Sequence, residues 1–259
     1  MKAMWSGSIS FGLVNIPVKL FSGSQSNTLD LDMLRKSDLC PIKYLRVCER
    51  DGKEVPYEEI VKGYEYSDGE YIVLTDQDFE NASLEKTHLI DIVDFIDEKE
   101  IDTRYFEKPY YLEPEKGGPK AYALLREALK RSGKVGVAHY VLRNRGSLGI
   151  VRPLDNLLIL NQIRYAEEVR EAVDLKLPGN DNLREQEIAL ALSLIDQLTV
   201  QFEPEKYKDR YIDDLKRIIE EKAQGRAPAP QAKQPPPPKV ADMMALLKES
   251  IKQKRKEAA

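Results

Sequence analysis

Apolar positions in the first two-thirds of the chain either alternate with polar ones or come in short runs, cut at close intervals by turn residues. "SISFGLVNIPVKLF" mixes both patterns and is broken by Gly12 and Pro17. "IKYLRVC" alternates, with Ile42, Tyr44 and Arg46 on one face and Lys43, Leu45 and Val47 on the other. "RDGK" at 50–53 then carries an Asp-Gly pair suited to the positive φ of a hairpin turn. "EYSDGEYIVL" repeats that device around Asp68 and Gly69. "THLIDIVDFI", "KPYYLEP", "GVAHYVLRNRGSLGIVRP" (turning near 144–147) and "NLLILNQI" complete the strand set. Strands at this spacing with short turns predict a barrel or a sandwich.

Helical spacing interrupts this pattern once and then replaces it. "GPKAYALLREALKRSG" puts Ala121, Leu124, Leu125, Ala128 and Leu129 on one stripe, with Pro119 near the start and Gly133 where a helix-ending residue belongs. "NLREQEIALALSLIDQLTVQF" opens on Asn182 with Glu185 three residues on, a capping-box pattern, and Ile188, Leu192, Ile195 and Leu198 form its expected buried row. "PEKYKDRYIDDLKRIIEEKAQG" aligns Tyr207, Tyr211, Leu215 and Ile218. Residues 223–239, "AQGRAPAPQAKQPPPPK", lack the apolar area to offset the entropy of ordering and read as a linker, reaching roughly 50 Å as polyproline II. Residues 240–259 follow, with Val240, Met243, Met244, Leu247 and Ile251 on one helical stripe and a basic tip at 252–256. The expected organisation is therefore a body over 1–222, a linker over 223–239 and a short amphipathic helix over 240–259.

Composition narrows the class. The 259 residues, 42% hydrophobic and 32% charged, fit a soluble globular protein with a real core. No apolar run is long enough to span a membrane, and the start lacks the apolar segment of a signal peptide, so a cytoplasmic protein is expected. Cys40 and Cys48, seven residues apart by intervening count, match neither a disulfide framework nor a zinc knuckle.

The formal charge of −4 hides a strong segregation. Residues 51–102 carry 17 acidic and 4 basic side chains, 103–152 carry 4 acidic and 11 basic, and 223–259 carry 3 acidic and 8 basic. The central block interleaves Arg104, Lys108, Lys116, Lys120, Arg126, Lys130, Arg131, Lys134, Arg143, Arg145 and Arg152 with five tyrosines. Such cations neutralise phosphates and release counterions whatever the base sequence. No helix-turn-helix, zinc-finger, basic-zipper or RNP pattern accompanies them, which favours sequence-independent binding. Arg126, Lys130 and Arg131 also fit the solvated face of their helix.

Chemistry-bearing motifs are missing. There is no H-E-x-x-H, no G-x-S-x-G and no phosphate-cradling glycine loop, and "RSGKVG" lacks the upstream glycine and the hydroxyl that would hold magnesium. His88 and His139 each stand alone on a strand-like alternation and read as structural. Asp91, Asp94 and Asp97 lie three apart, and on a regular strand that spacing sends alternate members to opposite faces. They read as an acidic surface, with a metal-dependent nuclease as the less favoured alternative. A DNA-binding regulator without preference for ends is the other alternative.

Long blocks of the chain resemble one family. "WSGSISFGLVNIPVKLFS", "YLRVCERDGKEVPYEEIVKGYEY", "YIVLTDQDFE" and "YYLEPEKGGPKAYALLREALKRSGKVGVAHYVLRNR" are similar in order to the bacterial Ku protein of non-homologous end joining, across roughly residues 1–220. The tail "VADMMALLKESIKQ" resembles that family's C-terminal segment. The resemblance implies a mixed β and α fold: a Ku core β-barrel with a DNA-bridging arm, C-terminal helices and a flexible tail. It implies a homodimeric ring that threads onto DNA double-strand ends, has no catalysis, cofactor or metal of its own, and recruits an ATP-dependent DNA ligase. Localisation with the nucleoid follows. The expected DNA-contacting set is Lys43, Arg46, Arg104, Lys108, Lys116, Lys120, Arg143, Arg145 and Arg152, and the expected partner-binding set is Val240, Met243, Met244, Leu247 and Ile251. "CPIKYLRVC" lacks the glycines expected after the first cysteine, and His139 stands where the family more often has Lys or a small residue.

Overall fold

The computed structural model describes residues 1–82, 88–142, 145–179, 183–226 and 246–252. They fall into two units, one of Met1–Ser26 with Asp30–Glu171 and one of Asn27–Leu29 with Ala172–Ala259.

In chain order the first unit contains β1 (Trp5–Phe11), β2 (Val14–Ser22), β3 (Lys62–Ser67), β4 (Glu70–Leu74), α1 (Asp76–Ala82), β5 (Leu89–Asp97), β6 (Phe106–Pro114), α2 (Pro119–Ser132), β7 (Lys134–Leu142), β8 (Arg145–Leu154) and β9 (Leu157–Ile163). Seven of the strands close a barrel in the order β1-β2-β6-β9-β8-β7-β5. All its pairings are antiparallel except the closing one, where Ser8–Ser10 of β1 run parallel to Leu89–Asp91 of β5. Closure leaves no free sheet edge, which suits strands as apolar as these.

The barrel is filled by Ile9, Ile16, Val18, Leu20, Ile90, Ile92, Leu112, Ala138, Val151, Leu158 and Leu160, nearly all without solvent exposure. Each Ile, Val or Leu among them contributes about 1.5–3 kcal/mol by leaving water. Helix α2 adds Tyr122, Leu125 and Leu129 to the same core. Of the stripe expected from sequence, Leu125 and Leu129 are buried, whereas Leu124 is 69% exposed and Tyr122 takes its place. The tyrosine wins because its hydroxyl donates to the Leu112 carbonyl and accepts from the Leu158 N–H, each at 2.6 Å, and so ties β6, β9 and α2 together. Gly133 ends the helix at φ 65°, as expected.

A second apolar pack lies on the outside of the barrel. Val135, Val137, Leu148, Ile150 and Ile163 meet Ile96, Ile101, Tyr105 and Phe106. The residues between β5 and β6 form a strap here, with one-turn helices at Glu98–Glu100 and Thr103–Tyr105.

Between β2 and β5 the chain leaves the barrel as an arm. Residues 42–48 are not the strand their alternation suggests. Among the described residues no strand pairs with them, and their backbone groups bond locally instead, Ile42 N–H to Met33 O at 2.9 Å and Val55 N–H to Arg46 O at 2.8 Å. The hairpin around Asp68 and Gly69 is present as β3–β4, with Gly69 at φ 75° and a bulge between Glu65 and Ser67. Helix α1 was not legible in sequence.

The second unit contains α3 (Glu185–Leu198) and α4 (Arg210–Ala223). The row Ile188, Leu192, Ile195 and Leu198, expected to be buried, is 36–58% exposed. Helix α4 starts later than its sequence pattern suggests, because Asp209 caps it by accepting from Ile212 N–H at 3.3 Å. That start shifts the covered face: Tyr207 and Tyr211 are 66% and 71% exposed, and Ile212 is buried.

Candidate nucleic-acid interface

The cations expected to meet DNA divide by what already holds them. Arg152 on β8 donates from Nε to Asn161 Oδ1 at 3.0 Å and from Nη1 to Glu98 Oε1 at 2.9 Å, so it clasps the strap to the barrel. Lys134 to Asp97 at 3.7 Å joins β7 to the end of β5, where the strap begins. Arg164 is a second clasp, donating to the carbonyls of Arg104 at 3.1 Å and Phe106 at 2.9 Å. Arg104 itself grips Asp102 with two parallel bonds of 3.1 and 3.0 Å. That pairing draws the Asp102 carboxyl below, and the Arg104 guanidinium above, their ordinary ranges. Arg145 is bound to Glu168 at 3.1 Å. Arg143 lies outside the described residues.

Lys108 near the start of β6, Lys116 in the turn before α2 and Lys120 in its first turn are exposed. Among the described residues none of the three has a carboxylate partner. Arg126 on α2 donates to Asn156 O at 2.6 Å.

Lys43 and Arg46 are on the arm and exposed. The Arg46 guanidinium lies over the Tyr57 ring at 5.1 Å from its centre, a contact that orients the side chain without consuming its charge. They sit between two turns that share one backbone plan. In the first, Arg35 N–H donates to Cys40 O and Leu39 N–H to Arg35 O, both at 2.8 Å. In the second, Cys48 N–H donates to Lys53 O and Gly52 N–H to Cys48 O, again both at 2.8 Å. Residues 39 and 52 are left-handed in each, at φ 57° and 69°. Asp38 Oδ1 accepts from Cys40 N–H at 3.3 Å, and Asp51 Oδ1 from Lys53 N–H at 3.2 Å. Each turn is closed by an ion pair, Arg35–Asp38 at 2.5 Å and Lys53–Asp51 at 3.4 Å. The Arg35 bond is the main reason the Asp38 carboxyl stays below the usual range, and the Lys53 N–H does the same for Asp51. Sequence reading saw only the second turn, because Leu39 hides the first; the shared signal is an Asp before each left-handed residue.

The arm buries nothing. From residue 22 to residue 82 no side chain is buried, and Tyr44, Tyr57, Tyr64, Tyr66, Ile72 and Val73 are each at least half exposed. Its charge is uneven, with six basic and three acidic residues over 35–53 against one basic and nine acidic over 54–82.

The acidic cluster is arranged differently from the regular-strand expectation. A bulge between Ile92 and Asp94 shifts the phase of β5, so Asp91, opposite His139, and Asp94, opposite Val137, share the outer face. Asp97 falls on the other and pairs with Lys134. No group of three His, Cys, Asp or Glu suited to a metal ion occurs among the described residues. Cys40 and Cys48 are free thiols. Among the described residues, no helix is long and apolar enough to cross a membrane.

Of the tail stripe, Leu247 and Ile251 fall in a helical stretch over 246–252 and are half-buried. Val240, Met243, Met244, the linker from 227 and the tip from 253 lie outside the described residues.

Comparison with known proteins places this geometry. The family model for the Ku70/Ku80 β-barrel domain matches residues 10–190. The non-homologous end joining protein Ku of Opitutus terrae is 41% identical over 98% of this chain and 92% of its own length. The protein of the same name from Bacillus subtilis is 42% identical over 99% of this chain and 83% of its own. That of Archaeoglobus fulgidus is 41% identical over 87% and 90%.

Proposed function

The chain belongs to the Ku family of non-homologous end-joining proteins, and from that premise we propose that it binds the ends of double-stranded DNA without reading sequence. In this reading two identical chains close a ring, a duplex enters only from a terminus, and an ATP-dependent DNA ligase is recruited through the tail. The protein acts as a scaffold in the cytoplasm, with the nucleoid, and has no catalytic step of its own.

The observation that carries the ring is the arm. Its 61 residues from 22 to 82 bury no side chain, and a two-stranded hairpin such as β3–β4 is marginal on its own. A chain segment that buries nothing does not offset its ordering entropy. The arm therefore needs another surface, and a second copy together with the duplex supplies one. The exposed row on α3 is a further apolar surface for the second copy to cover. A ring also accounts for a DNA-binding protein of net charge −4, since cations need line only the hole. Ligase recruitment is supported by the tail pattern, an apolar stripe behind a proline-rich tether that folds onto a groove of its partner.

Competition between DNA topologies tests the reading. Linear duplex is expected to displace a labelled fragment, and relaxed covalently closed circle is not. Equal competition by the circle would overturn the ring and favour a DNA-binding protein without end preference.

A further inference from the structure

We propose that the twin turns of the arm are its phosphate-gripping element, with Lys36 and Arg50 at their tips contacting the DNA backbone and Lys43 and Arg46 on the connection between them. This rests on the end-binding reading above and assigns residues to it; neither Lys36 nor Arg50 stands out in the sequence.

Each turn uses its basal charges for itself. Arg35 is held by Asp38 and Lys53 by Asp51, and these pairs, with two main-chain bonds and one aspartate-to-backbone bond per turn, fix the loop. The tip cations are left over. Among the described residues Lys36 and Arg50 are exposed and have no carboxylate within ion-pair distance. A tip held on a closed turn loses little further freedom when it meets a phosphate, so less of the contact energy is spent on ordering.

Among the arginines of the basic block the alternatives are weaker on charge, whereas Lys108, Lys116 and Lys120 are further open cations on the first unit. Arg104, Arg145 and Arg152 already face carboxylates, and a phosphate would have to displace Asp102, Glu168 or Glu98 to reach them. Along the arm, 54–82 is strongly acidic, so a polyanion approaching it finds net positive charge only over 35–53. The cations stand at different places in the shared plan, Lys36 matching Glu49 and Arg50 matching Ser37, yet one short segment still presents both, which suits a repeating backbone better than a single base.

The salt dependence of binding to a linear duplex of arbitrary sequence tests this, using the full chain. Each phosphate contact removed makes the plot of log K against log salt shallower by about 0.9. The double variant Lys36→Ala/Arg50→Ala is expected to shallow it by about 1.8 for each chain on the DNA. Its thermal midpoint should not move, because neither side chain has a partner to lose. The charge-keeping Lys36→Arg/Arg50→Lys should restore the slope. Arg131→Ala, which removes a cation paired with Glu127 on α2, should leave it unchanged. A wild-type slope in the alanine double variant overturns the assignment, as does an equal loss in Arg131→Ala. Wild-type protein that binds linear duplex and closed circle alike overturns the end-binding reading instead.

Discussion

Tyr122 shows how one side chain can hold three elements. Its hydroxyl is both donor and acceptor, to Leu112 O and from Leu158 N–H, inside a core that is mostly apolar. Burial raises its pKa above the ordinary phenol value, so it keeps the proton that it donates through the neutral range. Tyr122→Phe removes both bonds and leaves a buried N–H without its partner, at a cost of about 1–3 kcal/mol. Urea unfolding should show that loss as a lower midpoint with an unchanged slope; an unchanged midpoint would mean that the hydroxyl contributes nothing net. Tyr140 is the contrasting case, since its hydroxyl is buried with no hydrogen-bond partner of good geometry. Ser147 stands opposite it in the β7–β8 register.

At the scale of elements, the chain separates parts that complete themselves from parts that do not. The barrel and α2 satisfy their own apolar surface. The strap is held by two clasps, through Arg152 and Arg164, and Lys134 pairs the strand end before it, which explains why part of the basic block serves structure. Helix α3 is unfinished: Leu192 and Ile195 are 55% and 58% exposed. Replacing both with Glu costs a lone chain little, because exposed positions tolerate charge. In a paired protein the same change puts charges into an interface. Leu192→Glu/Ile195→Glu is therefore expected to halve the mass measured by sedimentation at micromolar concentration. A mass equal to that of the wild type would remove α3 from the contact between copies.

At the scale of the whole molecule, the proposed function assigns the holding of DNA to the arm and barrel and its transfer to the ligase to the tail behind its proline tether. Deleting residues 240–259 should leave binding to linear duplex nearly intact and abolish stimulation of the ligase. Unchanged stimulation by the truncated chain would place the ligase contact on the body.

The sequence by itself determined the elements whose physics is local or strictly periodic. The barrel strands, the hairpin at Asp68 and Gly69, and α2 with its Pro119 start and Gly133 stop follow from alternation, turn chemistry and helix spacing. The family was legible too, because its long motif blocks stand in order along the chain. Tertiary structure decided what each exposed or charged position faces. "IKYLRVC" alternates like a strand, yet among the described residues it forms only isolated bridges, at Val47 and at Pro41 just before it. The α3 row looks like core, yet among the described residues it is left 36–58% exposed. The arginines of the basic block look alike in sequence, and only their placement shows Arg104, Arg145 and Arg152 held by carboxylates, while outside that block Lys36 and Arg50 have no carboxylate partner among the described residues. Periodicity reports the geometry of one segment, whereas burial and ion pairing depend on which distant segment arrives beside it.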